Sequence, residues 1–138
     1  MAAKDSLHFQ VKNALVKDGW TITDDPFVIE YEGIRLKADL GAEKIFAAEK
    51  DECKIVVEIK VFGGLSFFYE LHNATGQYCN YRALLGETNP DREIWLAVPL
   101  KIYQSEFQKK ATQKIIADLK IKILVYEPER EVIAKWIK

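Results

Sequence analysis

Apolar and polar positions along this chain fall into two differently patterned halves. Residues 4 to about 18 place Leu7, Val11, Ala14 and Leu15 on one side, the spacing of an amphipathic helix, and Gly19 ends it. Trp20 leads into TITDDP, where the acidic pair before Pro26 predicts a loop. FVIEYEG and IRLKADLG then alternate as strands joined near Gly33, with Ile34, Leu36, Ala38 and Leu40 facing inward and Arg35, Lys37 and Asp39 on the opposite face. KIFAAE and CKIVVEIKVF add two strands separated by the charged turn KDE. The chain from about 27 to 62 therefore reads as a run of antiparallel hairpins, stopped by Gly63 and Gly64.

In the second half, Ser66 is placed to cap a helix over about 66–85, with Phe67, Leu71, Tyr78 and Leu85 on its buried side and Gly86 closing it. REIWLAVP is a strand ended by Pro99. EFQKKATQKIIADLK is a helix with Phe107, Ala111, Ile115 and Leu119 along a face, and the strands IKILVYEP and EVIAKWI follow. Strand, helix, strand is the parallel crossover pattern, whereas the first half is antiparallel. Together they predict an α/β (α+β) domain with a mixed central sheet flanked by helices, in the order α-β-β-β-β-α-β-α-β-β. Without repeats, low-complexity tracts or linkers, residues 1–138 read as one domain.

One strand breaks the pattern. In KIVVEIKVFGG, residues 54–64, alternation puts Ile55, Val57, Ile59 and Val61 on one face, and Val56, Glu58, Lys60 and Phe62 on the other. Two charges thus sit among apolar neighbours, and charges taken out of water are costly unless they are paired or bind something. Composition narrows the candidates. The chain is 49% hydrophobic and 30% charged, an ordinary globular balance, and 20 basic against 21 acidic residues give a net charge of -1. No global basic field advertises a polyanionic partner, although a groove can be locally basic. Cys53 and Cys79 have no ligand spacing and read as buried thiols of a reducing cytoplasm. The N-terminus carries charges throughout, and no segment approaches the roughly 20 apolar residues of a membrane span, so the expectation is a cytoplasmic protein with no membrane contact.

Asp39 and Glu58 are separated by 18 residues, enough for one strand and two turns, so a meander can return one carboxylate to the other. Two such acids can hold Mg²⁺, with Mn²⁺ as the substitute, and a lysine beside them can serve an attacking water and a developing phosphate charge. That set suits phosphodiester hydrolysis. The bland readings are an exposed ion pair for Glu58 and Lys60, and a solvated strand end for Asp39. His8 could join a metal or proton-transfer site but, beside Lys12, reads first as a surface residue, as does His72; Glu49 could be a third carboxylate but, before the charged turn, reads first as exposed. Trp20, Trp95 and Trp136 read as core anchors, and Lys101, Lys109, Lys110 and Lys114 as solvated.

Asp39 followed by Glu58-Ile59-Lys60 resembles the D-x(n)-(D/E)-x-K signature of the restriction-endonuclease-like superfamily, the PD-(D/E)xK nucleases. Gln77 and Tyr81 in GQYCNY share a helical face with Glu70 and Asn73, and resemble the Q-x-x-x-Y feature of the branch related to bacterial recombination nucleases. They fit equally well a helix anchored to the sheet by hydrogen bonds. Ala38 stands where the superfamily's name-giving proline would be, and the first helix offers Asp5 and His8 where related resolvases often supply a glutamate. Over nearly the whole chain, KDSLHFQVKNALVKDGWTITDDP, IRLKADLGAEKIFAAEKDECKIVVEIKVF and FYELHNATGQYCNYRALL resemble the XisH-type proteins, the fdxN element excision controlling factor family of cyanobacteria. That resemblance implies a restriction-endonuclease-like fold and a role in DNA excision with a XisI-type partner, while a separate site-specific recombinase cuts and rejoins the strands. It implies DNA as partner and a homodimer. Asp39, Glu58 and Lys60 are then the catalytic set, Asp39 and Glu58 the metal ligands, and Gln77 and Tyr81 their support. The competing expectations are a non-catalytic factor that binds its partner or DNA and directs the recombinase, and a toxin-like nuclease held inactive by that partner.

Overall fold

The computed structural model describes residues 3–46, 51–64 and 66–138. Helix α1 (Ala3–Lys17) leads into β1 (Thr21–Asp24), β2 (Phe27–Tyr31), β3 (Ile34–Ala38), β4 (Leu40–Phe46) and β5 (Asp51–Ile59). After α2 (Phe67–Thr88) come β6 (Arg92–Pro99), α3 (Leu100–Ser105), a 3-10 turn (Glu106–Gln108), α4 (Lys110–Asp118), β7 (Ile123–Glu127) and β8 (Val132–Ile137). The central sheet runs β1-β4-β5-β6-β7-β8, and β2 pairs with β3 as a separate hairpin. Strands β5, β6 and β7 are parallel, while β1, β4 and β8 are antiparallel to their neighbours. This is the mixed sheet flanked by helices that the two halves of the pattern predict.

Both faces of that sheet are covered, which explains why its central strands are apolar at nearly every step. Ile55, Val57 and Ile59 join Trp95, Ala97, Leu124 and Tyr126 against Val11 and Leu15 of α1. Val56 joins Leu96, Val98 and Val125 on the other face, against Leu71, Ala74 and Tyr78 of α2 and the hairpin residues Phe27, Ile29 and Ala38. Glu58 shares the alternation of Val56 and so lies on the α2 side. Ser66 caps α2 as expected, its hydroxyl accepting from Tyr69 N–H at 3.3 Å. Trp20 and Trp95 are buried and their rings lie 5.4 and 4.9 Å from that of Trp136, a core cluster as predicted.

Several expectations change. TITDDP is not wholly a loop: Thr21–Asp24 form the edge strand β1 against β4, because four residues suffice to pair where a neighbour is already in place. IRLKADLG is not one strand. It breaks at Asp39, where the chain leaves the hairpin for the main sheet, so that Ala38 and Leu40 fall into opposite cores. Ile34, expected inward, is exposed, since burial fades from the base of the hairpin to its tip. Gly86 does not close α2. The helix runs to Thr88, and Asn89 caps it through its N–H to Leu85 carbonyl, just before Pro90. The segment EFQKKATQKIIADLK does not hold one helix: Lys109 is extended, and Phe107 drops into an aromatic cluster with Phe62 and Phe67 at 5.7 and 5.6 Å. Ala111 and Leu119 are exposed, whereas Thr112 is buried. Cys53 and Cys79 are half-buried, not buried. Among the described residues no helix is long and apolar enough to cross a membrane. Glu49 lies outside the described residues.

Candidate functional site

The charged pair straddles the end of β5: Glu58 is in the strand, and Lys60 lies just past its last residue, Ile59, where the sequence pattern carries the strand on to Phe62. Among the described residues Glu58 is the one charged residue that is buried, with a side chain 3% exposed, and Lys60 Nζ stands 3.6 Å from its Oε2. Lys60 itself is 18% exposed, so the pair joins the interior to the surface. The exposed-strand reading of Glu58 fails on this burial. A carboxylate in such surroundings needs compensating charge, and the ammonium two residues on supplies part of it.

Asp39 reaches the same place from the other side. The ladder between β4 and β5 ends at Leu40 opposite Val57, and one further step along that register sets Asp39 across from Glu58. The Asp39 carboxylate is fixed there, Oδ2 accepting from the main-chain N–H of Ile59 at 2.8 Å. The bend that separates β3 from β4 is what frees this side chain to turn toward β5.

Helix α2 supplies the roof. Tyr81 is buried, and its phenol is held above the usual tyrosine range first by burial and then by the negative charges of Glu58 and Asp39. Its hydroxyl makes a long contact, 3.5 Å, with Lys37 carbonyl. Gln77, one turn earlier, is exposed. Glu70 and Asn73, on the same helical face, join Lys60 and Val61 around a cleft of about 240 Å³. Glu70 Oε1 also accepts from Gly64 N–H at 2.8 Å, which ties the glycine pair after β5 to the start of α2.

A second arm of the site comes from α1 and the turn before β2, and of its members the sequence reading weighed only His8. His8 lies between two aspartates, Nε2 at 2.8 Å from Asp25 Oδ1 and Nδ1 at 3.8 Å from Asp39 Oδ1. Lys12, one helical turn from His8, places Nζ 2.8 Å from Asp25 Oδ2. Lys12 above all, and then His8, hold the Asp25 carboxyl below its ordinary range against the opposing effect of burial. His8 is thus a bridge from α1 to Asp39, not a lone surface histidine. The i, i+4 spacing of His8 and Lys12 was the available signal, but Asp25 read only as part of a turn. His72 is exposed, as expected.

These groups offer hard oxygen donors from β5 and from the bend before β4, with an ammonium beside a small cleft. Among the described residues no group of three or more His, Cys, Asp or Glu side chains stands close enough to hold a metal ion. Two carboxylates nevertheless suit Mg²⁺, which is commonly held by one or two acids while waters and substrate phosphates fill its remaining positions.

The chain matches the family model described as XisH protein over residues 1–134. It is similar to the crystal structure of an XisH family protein from Nostoc punctiforme, with 43% identity and a TM-score of 0.88 over 97% of this chain and 100% of that one. It is also similar to the crystal structure of a fdxN element excision controlling factor protein from Anabaena variabilis, with 44% identity and a TM-score of 0.88 over 97% of this chain and 99% of that one. No curated protein matches the chain. A family model spanning almost every residue, and two solved folds superposing along the same length, make this chain a member of the XisH family.

Proposed function

We propose that this protein acts in the excision of a DNA element through a restriction-endonuclease-like, divalent-metal-dependent site. The role in excision is carried over from the name of the Anabaena variabilis relative. The observation that carries the site is Glu58: a carboxylate almost sealed from water, in a stretch of β5 otherwise apolar from Ile55 to Ile59, beside Lys60 and next to Ile59, whose N–H holds the Asp39 carboxylate. Asp39 and Glu58 are the ligands, with Mg²⁺ or Mn²⁺ as the ion. Bound there, the ion supplies charge for a phosphate oxygen and lowers the pKa of a coordinated water. Lys60, 18% exposed at the rim, would donate from its Nζ to a phosphate oxygen of a backbone lying outside the cleft. Ile59 N–H keeps the Asp39 carboxylate oriented before any ligand arrives. Tyr81 closes the inner wall against bulk water, and Gln77, on the exposed side of the same helix, meets the nucleic acid beyond it.

The test is Mg²⁺- or Mn²⁺-dependent cleavage of duplex and branched DNA. Glu58→Gln and Lys60→Ala should each lower the rate by about 100-fold or more, the scale for removing a charge-stabilising or proton-handling group. Activity unchanged in both variants overturns the assignment. One observation favours a second reading, a non-catalytic factor that binds a XisI-type partner or DNA and directs a recombinase: the net charge of -1 is low for a duplex binder. A stable complex with that partner, together with absent metal binding and absent cleavage, selects this second reading.

A further inference from the structure

A second concavity lies at the β8 edge of the sheet, away from Asp39 and β4. Its floor is apolar, built from Tyr103, Phe107, Ile116 and Ile137, and it encloses about 530 Å³. Its rim carries Lys120, Lys122 and Lys138. A neighbouring concavity of about 430 Å³ shares Lys120 and Lys122 and adds Arg82 and Arg92, with Glu93 as the acidic residue among its described lining. The two form one groove around the start of β7. In a chain of net charge -1, this is a local concentration of cations around a largely half-buried apolar floor, with Arg92 itself engaged by Asp24 at 3.7 Å.

The charges are arranged so that an anion meets little opposition. Arg82 donates to the carbonyls of Leu119 and Lys120 at 2.8 and 3.0 Å, covering the C-terminal end of α4, whose bare carbonyls would repel an acid. Glu93 is engaged by Lys122 at 2.8 Å, which holds its carboxyl below the ordinary range and cancels its charge locally. Lys120 and Lys138 remain exposed at the rim. We infer that this groove binds an acidic segment of a partner protein, an apolar side chain seated over Tyr103 and Ile116 and carboxylates meeting Lys120 and Lys138. The apolar floor favours a peptide over a nucleic-acid backbone, which would leave that floor unused.

The test begins with selection from a random peptide library displayed on phage, using the full chain as bait. Expected are enriched sequences with net negative charge and at least one large apolar residue. A fluorescein-labelled representative should lose roughly tenfold in affinity to the Lys120→Glu/Lys138→Glu variant, as rim charges do when reversed, and should bind Glu58→Gln unchanged. Thermal unfolding of the double variant, altered only at exposed positions, checks that it is folded, and Ile116→Arg gives an independent block of the floor. No acidic enrichment, binding retained by both groove variants, or displacement of the peptide by an oligonucleotide of equal charge would each overturn the inference.

Discussion

Glu58 is tolerated in the interior in part because the Lys60 ammonium, 3.6 Å away, offsets its charge. The neighbouring phenol reports that field. Tyr81 is raised above 10.0 by burial, with Glu58 and Asp39 adding to it, so neutralising either acid should bring its pKa part of the way down. We expect Glu58→Gln and Asp39→Asn each to lower it, followed by NMR of ring-labelled tyrosine through alkaline pH. Burial persists in both variants, so neither should return it fully to the ordinary value. An unmoved Tyr81 in both would mean that the two carboxylates do not converge beneath it.

At the scale of elements, the site depends on how β4 leaves the hairpin. A Cβ built on Gly41 would meet Phe27 Cδ2 at 2.7 Å, Asp24 Oδ2 at 2.8 Å and Arg92 Nη1 at 3.1 Å. Arg92 lies 4.7 Å over the Phe27 ring and donates to Ile55 carbonyl at 2.9 Å, so it cannot retreat cheaply. Gly41→Ala should therefore cost about 1–3 kcal/mol in urea unfolding, the usual scale of overpacking. Tyr78 is the matching anchor of α2: its hydroxyl donates to Ile94 carbonyl at 2.8 Å and accepts from Lys122 N–H at 3.0 Å. Tyr78→Phe should cost about 1–3 kcal/mol by stranding those groups, with the denaturant slope unchanged. These cases mark what the sequence could tell. Long periodic elements such as α1, α2 and β5 are legible because their own spacing records which face is buried. The bend at Asp39, the short edge strand β1 and the break at Lys109 are imposed by partners far along the chain, and no local period encodes them. Glu58 and Lys60 were legible as misfits in an apolar strand. Asp25 was not, because its partners come from a helix seventeen and thirteen residues away.

Across the whole molecule, α1 covers one face of the sheet while α2 and the hairpin cover the other, and Asp25 ties these layers together through His8 and Lys12. Its pKa is depressed below the ordinary 3.8, so its contribution is present above that value and is lost as pH falls through the lower, folded one. Wild type should accordingly lose stability on acidification below about pH 4, and Asp25→Asn should lose less, the two converging at the acid end. Urea midpoints at pH 7 and pH 3 measure it. The same latch leads from α1 to Asp39, so the layers and the candidate site share one set of contacts. The most direct measurement of the central claim is a crystal soaked in Mn²⁺ and recorded for anomalous scattering. The account predicts a peak within coordinating distance of both the Asp39 and Glu58 carboxylates, lost in Glu58→Gln; a well-ordered site with no peak there, or one that persists in the variant, would contradict it.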